Sequence, residues 1–203
     1  MIELVDIDLD AAVVNSAGNH PREPQSLCTP TLEGIRRVID RTPRRRWFMD
    51  EHVWAFRLWQ EAAVRGASVW HLDAHHDAYG STDPSVWRTS LTPGFGCSHG
   101  ITSATYLLAA WRAGIVAEIV WLVPEWLGLA AARLDLEREM GPSCTAFTLA
   151  TFGSIEPPAT PDMLTVAWSR RWVEPRLHQP LVAGALQEEV ANQLNGGASF
   201  VGF

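Results

Sequence analysis

Ala67-Ser68-Val69-Trp70-His71-Leu72-Asp73-Ala74-His75-His76-Asp77 is an apolar run that stops abruptly at acids and imidazoles. Such a run reads as a buried strand delivering its end to a site. Alternate side chains of an extended chain share a face, so Asp73 and His75 leave the strand end together and Asp77 follows as the backbone turns. Carboxylates at the end of an interior strand are costly unless positive charge sits among them, and the chain contains no lysine. One divalent cation, or two, is the expected partner.

The same pattern recurs on either side. Met1 to Val5 is apolar and runs into Asp6-Ile7-Asp8-Leu9-Asp10, whose period of two predicts a strand with acids on one face. A loop rich in Asn, Gly, Pro and Ser follows over 15–30, then a helix over 31–40 with Leu32, Ile35, Val38 and Ile39 inward. The arginines of 41–46 read as a solvated turn. Trp47-Phe48-Met49 is a short strand stopped by Asp50-Glu51-His52, which places His52 at a strand-to-helix junction before a helix ending at Gly66.

Beyond Asp77 a loop of about twenty residues closes at Gly96-Cys97-Ser98-His99-Gly100, a length that usually marks a functional or disordered segment. Helices are expected over 101–113, 127–139 and 181–194, strands over 119–123, 145–149 and 163–168, and a loose glycine-rich tail over 195–203. Strands alternating with helices predict a single α/β domain over 1–194, with a mainly parallel sheet covered on both faces as three layers. Ligands of such sheets bind at the carboxyl ends of the strands. The acidic and His clusters fall there: Asp8 and Asp10, His52, then Asp73, His75 and Asp77, with His99 beyond the long loop. Four carboxylates and two imidazoles without a thiolate suit two hard ions, Mn²⁺ before Zn²⁺ or Fe²⁺.

Composition narrows the partners. The 203 residues, 47% hydrophobic, suffice for one full core. Sixteen basic residues, all arginine, against 23 acidic give a net charge of -7, which disfavours nucleic acid and suits a cationic ligand. Three cysteines without paired spacing, and a start lacking secretory character, predict a reduced cytoplasmic setting. No apolar run approaches the roughly 20 residues that span a bilayer.

Asp73-Ala74-His75-His76-Asp77 resembles the D-A-H-x-D metal motif of the ureohydrolases, the arginase and agmatinase group. Asp50-Glu51-His52 is similar to their D-H strand end, Gly96 to Gly100 to their G-N-x-H-G turn, and Asp8-Leu9-Asp10 to their D-x-D pair. An ordinary arginase carries D-x-D near the end of a chain about a hundred residues longer. The closer likeness is to the small peptide arginases, which convert arginine side chains of ribosomally made peptides to ornithine. Val123-Pro124-Glu125-Trp126 and Val166-Ala167-Trp168-Ser169 resemble further segments of that family.

The resemblance implies an arginase/deacetylase-like fold, two Mn²⁺ ions, an arginine-containing peptide as substrate, and attack of a metal-bridging hydroxide on the guanidinium carbon with release of urea. It implies that Asp73 and one aspartate of the N-terminal pair bridge the ions. His52 and Asp77 would complete one, and His75 with the other aspartate the second. Asp6 is the alternative to Asp10 should the register differ by two residues. His99 is the expected proton shuttle. A guanidinium also requires a carboxylate partner, for which Glu125 and Glu174 are the candidates. His71 is expected in the core or behind the ligands, and His20, His76 and His178 at the surface or rim. Rival readings are a Cys97 thiol nucleophile, a one-metal deacetylase, an enzyme for a free guanidino compound, and a noncatalytic peptide-binding protein.

Overall fold

The structure, a computed structural model, describes residues 1–15, 24–42, 45–79, 101–141, 145–168, 172–186, 190 and 200–202. Its strands are β1 (Glu3–Asp8), β2 (Val13–Val14), β3 (Ser26–Leu27), β4 (Arg46–Met49), β5 (Ala67–Leu72), β6 (Val116–Val123), β7 (Phe147–Thr151), β8 (Met163–Ala167) and β9 (Phe200–Gly202). The helices are α1 (Thr29–Arg41), α2 (Val53–Glu61), α3 (Tyr106–Arg112), α4 (Leu129–Met140) and α5 (Pro175–Ala185). The main sheet runs β7-β6-β5-β1-β8-β4-β9. Its first six strands pair in parallel, and β9 lies antiparallel on β4.

Two apolar clusters, one on each face, make this the expected three-layer α/β/α arrangement. Along β1, Leu4 enters one cluster with Trp59, Tyr106 and Ala132 of α2, α3 and α4. Val5 and Ile7 enter the other, with Ile35 of α1 and Leu181 of α5. The alternation is the pleat itself. It sends Asp6 and Asp8 to the face that carries Tyr106, and register aligns Asp6 with His71 of β5 on one side and Thr165 of β8 on the other. The chain passes from β4 on one flank of β1 to β5 on the other, so the strand order reverses beside β1. Ligands of open α/β sheets gather at such reversals.

Several boundaries differ from expectation. The acidic strand stops at Asp8, because Asp8 Oδ1 accepts the Asp10 backbone N–H (3.0 Å) and caps a 3-10 turn, Leu9–Ala12, that carries Asp10. The helix expected from 101 starts at Tyr106, since Thr102 spends its backbone N–H on the Thr105 hydroxyl (2.9 Å). Of the stretch expected as a closing helix, 181–185 belongs to α5, which begins at Pro175, a residue suited to a first turn, while 187–189 and 191–194 lie outside the described residues. Within the stretch expected as a tail, Phe200–Gly202 pairs with β4. No helix among the described residues is long and apolar enough to cross a membrane.

Candidate metal centre

Asp8, Asp10, His52, Asp73, His75 and Asp77 are all buried and meet at the carboxyl ends of β1, β4 and β5. Three local devices bring them together. The 3-10 turn after β1 swings Asp10 in, and the Trp126 indole N–H holds that turn by donating to the Ala11 carbonyl (2.8 Å). The first residues after β4 divide their tasks: Asp50 accepts from the Trp54 indole (3.0 Å), Glu51 from the Ser103 hydroxyl (2.8 Å), and His52 points inward as α2 begins. After β5, Asp73 Oδ1 accepts the His75 backbone N–H (2.9 Å), and Asp77 closes the turn at φ 47°, a left-handed geometry that Asp tolerates better than most residues. The Asp77 carbonyl accepts the Leu107 N–H (3.2 Å), tying the loop to α3.

Asp73 sits between the two rings. Its Oδ2 lies 3.5 Å from His52 Nδ1 and its Oδ1 3.4 Å from His75 Nδ1. His52 Nδ1 also faces Asp77 Oδ2 (3.1 Å) and Asp8 Oδ2 (3.6 Å), while His75 Nδ1 faces Asp10 Oδ2 (3.3 Å). Two ligand-capable groups result, Asp8-His52-Asp73 and Asp10-Asp73-His75, and a third joins His71, Asp73 and Asp77. Asp73 is common to all three.

Behind this layer lies a supporting one. Asp6 Oδ1 accepts from the Thr165 hydroxyl, and Asp6 Oδ2 from the Tyr106 hydroxyl and from His71 Nδ1 (3.1 Å). The other nitrogen of His71 donates to the His75 carbonyl (3.2 Å). Asp6 thus orients its neighbours and belongs to none of the ligand-capable groups. Tyr106 and Thr165 carried no motif in the sequence; only the pairing of β1 with β8 and the packing of α3 bring them to Asp6.

The electrostatics suit a cation. Burial, reinforced by the Asp73 charge, pushes the Asp10 and Asp77 carboxyls up to about 7. Burial opposes ionisation of Asp73 as well, but the His52, His75 and His71 rings around it outweigh burial and hold that carboxyl well below its ordinary value. Burial pulls His52 and His75 down, yet the Asp6 and Asp8 charges at His52, and the Asp10 charge at His75, raise both rings well above the usual imidazole range. Five buried carboxyl groups, counting Asp6, face three imidazoles, so acids outnumber bases in the cluster. Among the described residues, the buried Asp73 Oδ2, His52 Nε2 and His75 Nε2 have no hydrogen-bond partner. An oxygen-rich donor set with buried atoms of this kind fits a hard divalent ion, and these clusters could hold one.

The centre opens into a cavity of about 620 Å³ whose lining includes Asp8, His75, Asp77, Trp121, Trp172 and, from α4, Asp135. Trp172 lies against the His75 ring, with centroids 4.7 Å apart. Gln25 holds the Trp172 segment by donating from Nε2 to the Trp172 carbonyl (2.6 Å) and accepting from the Glu174 N–H (2.6 Å). Glu125 and Glu174, the candidate guanidinium partners, are not among the residues that line this cavity. Glu125 is exposed in the turn after β6, and Glu174 accepts from the Gln25 N–H (3.0 Å) and from Arg176 Nε (2.6 Å). His76, expected at the surface or the pocket rim, is buried and stacked on Tyr79 at 4.0 Å, and burial pulls its ring down to about 4. His71, expected in the core or behind the ligands, is buried against Asp6 and also belongs to one ligand-capable group. His99, Cys97 and His20 lie outside the described residues.

No family model matches the chain, and neither the curated proteins nor the solved structures contain a match to it.

Proposed function

We propose that this protein is a metal-dependent hydrolase of the peptide arginase kind, converting arginine side chains of a peptide to ornithine with release of urea. The observation that carries the reading is the Asp73 carboxylate between His52 and His75, in a cluster whose Asp8, His75 and Asp77 line a cavity that Asp135 also lines. Asp8, His52, Asp73 and Asp77 would hold one Mn²⁺, and Asp10, Asp73 and His75 the other. Bound there, the ions would supply an activated water at neutral pH.

The chain's own residues do the rest. Asp6, fixed by Tyr106 and Thr165, keeps His71 and the facing His52 in place. Trp121 and Trp172 form apolar wall that limits water. The acidic lining favours a cation, and a planar guanidinium matches carboxylate geometry. His99, carried over from the motif resemblance, is the proposed donor of the proton that the leaving amine requires.

Mass spectrometry of an arginine-containing peptide after incubation with the Mn²⁺-loaded chain tests the reading. A loss of about 42 Da per modified arginine, with urea released and the reaction stopped by a chelator, is expected. Free arginine in parallel reads selectivity for the peptide. An unchanged peptide mass in the loaded protein sinks the hydrolase reading, and loss of activity in Cys97→Ser with no effect of chelator transfers it to thiol chemistry.

A further inference from the structure

We propose that Asp135 is the carboxylate that receives the substrate's guanidinium, and that Arg138 occupies its outward oxygen until the substrate displaces it. That the cation is an arginine side chain rests on the hydrolase reading above; the placement rests on the cavity.

Asp135 of α4 lines the same cavity as Asp8, His75 and Asp77. Its two oxygens are treated differently. Oδ2 accepts the Tyr79 hydroxyl (2.7 Å) and lies 3.5 Å from His76 Nε2, a buried ring nitrogen that has no hydrogen-bond partner among the described residues. His76 Nδ1 accepts the Ala78 N–H (3.1 Å), which leaves the ring proton on Nε2, pointing at the carboxylate. With His76 stacked on Tyr79, both groups behind Oδ2 come from the turn that also supplies His75 and Asp77. Oδ2 is therefore registered to the metal centre by one short segment.

Oδ1 faces Arg138, whose NH1 stands 3.5 Å away from a side chain that is 72% exposed. An exposed pair at that distance is weak and exchanges readily. The competitor has the same chemistry as the proposed ligand: a guanidinium leaves and a guanidinium enters, with no change in the charge beside Asp135. Tyr79, Trp121 and Trp172 would flank the aliphatic stem of an entering arginine. The volume of about 620 Å³ falls within the range of sites for small ligands.

The test is equilibrium binding by calorimetry to the metal-free full chain, where no turnover interferes. The probes are a short peptide with one arginine and the same peptide with citrulline. Wild type should prefer the arginine peptide, Asp135→Asn should cut that preference at least about tenfold, the scale of one charge-assisted contact, and Arg138→Ala should increase it severalfold. Asn is isosteric and can still accept from Tyr79, and the exposed Arg138 position reads the competition independently should Asp135→Asn fold poorly. A preference that survives Asp135→Asn, or that Arg138→Ala leaves unchanged or lowers, overturns the proposal, as does wild type binding both peptides alike. Should wild type show the Asp135-dependent preference yet release no urea when loaded with Mn²⁺, the binding role stands and the hydrolase reading falls.

Discussion

Asp73 Oδ2 and His52 Nδ1 face each other at 3.5 Å although they stand 21 positions apart in the chain, with α2 and β5 between them. Both are buried, and the other oxygen of Asp73 serves His75. A carboxylate shared in this way makes the two ligand groups interdependent. Asp73→Asn should abolish measurable Mn²⁺ binding at both groups, whereas Asp10→Asn should weaken mainly the His75 side. Inductively coupled plasma analysis and metal titration check this. Wild type at a hundredfold excess of ion over its dissociation constant should gain about 2.7 kcal/mol; full metal content in Asp73→Asn would refute the shared ligand.

Metal affinity and stability should respond to pH in opposite directions. Asp10 and Asp77 have folded values raised to about 7, so they contribute stability that is complete below their unfolded values and lost as pH rises through about 7. The raised His52 and His75 act in the same direction. Metal-free protein should therefore melt at lower temperature at about pH 8 than at about pH 5.5. Ligands must shed protons to bind metal, so the rise in melting temperature on adding Mn²⁺ should grow over that interval. A metal-free melting temperature that climbs between those pH values contradicts the assignment.

The supporting layer makes a separate demand. Tyr106→Phe and Thr165→Val each remove a donor from the buried Asp6 carboxylate while keeping shape. Loss of one partner from a buried charge should cost about 1–3 kcal/mol in urea unfolding. Mn²⁺ affinity should drop about 10- to 100-fold in Tyr106→Phe, as for other groups that orient ligands from behind. Unaltered affinity would leave Asp6 with a purely structural role.

Gln25 joins two segments 147 residues apart through its side chain and backbone. Gln25→Ala should destabilise the fold by about 1–3 kcal/mol, since it strands the Trp172 carbonyl and the Glu174 N–H. It should also raise the KM for peptide more than it changes kcat, because Trp172 loses its seat beside His75. A variant whose kinetics match wild type would show that Trp172 needs no such clamp.

A period-two acidic segment located β1 and an apolar run ending in acids located β5, and the D-A-H-x-D spacing put Asp73, His75 and Asp77 at one strand end, because these properties follow from neighbouring residues and the pleat alone. The sequence by itself therefore indicated the α/β class and six of the ligand-capable residues, with Asp6 left open against Asp10 and His71 not among them. Only the tertiary structure decided that Asp6 stands behind the ligands while Asp10 turns in among them, since a single capping bond from Asp8 ends the strand two residues early. It likewise placed Tyr106 and Thr165 on Asp6, Trp172 on His75, and Asp135 in the lining of the cavity. These residues come from different elements and share no local pattern; what unites them is strand order and helix packing, which bring distant parts of the chain within hydrogen-bond reach.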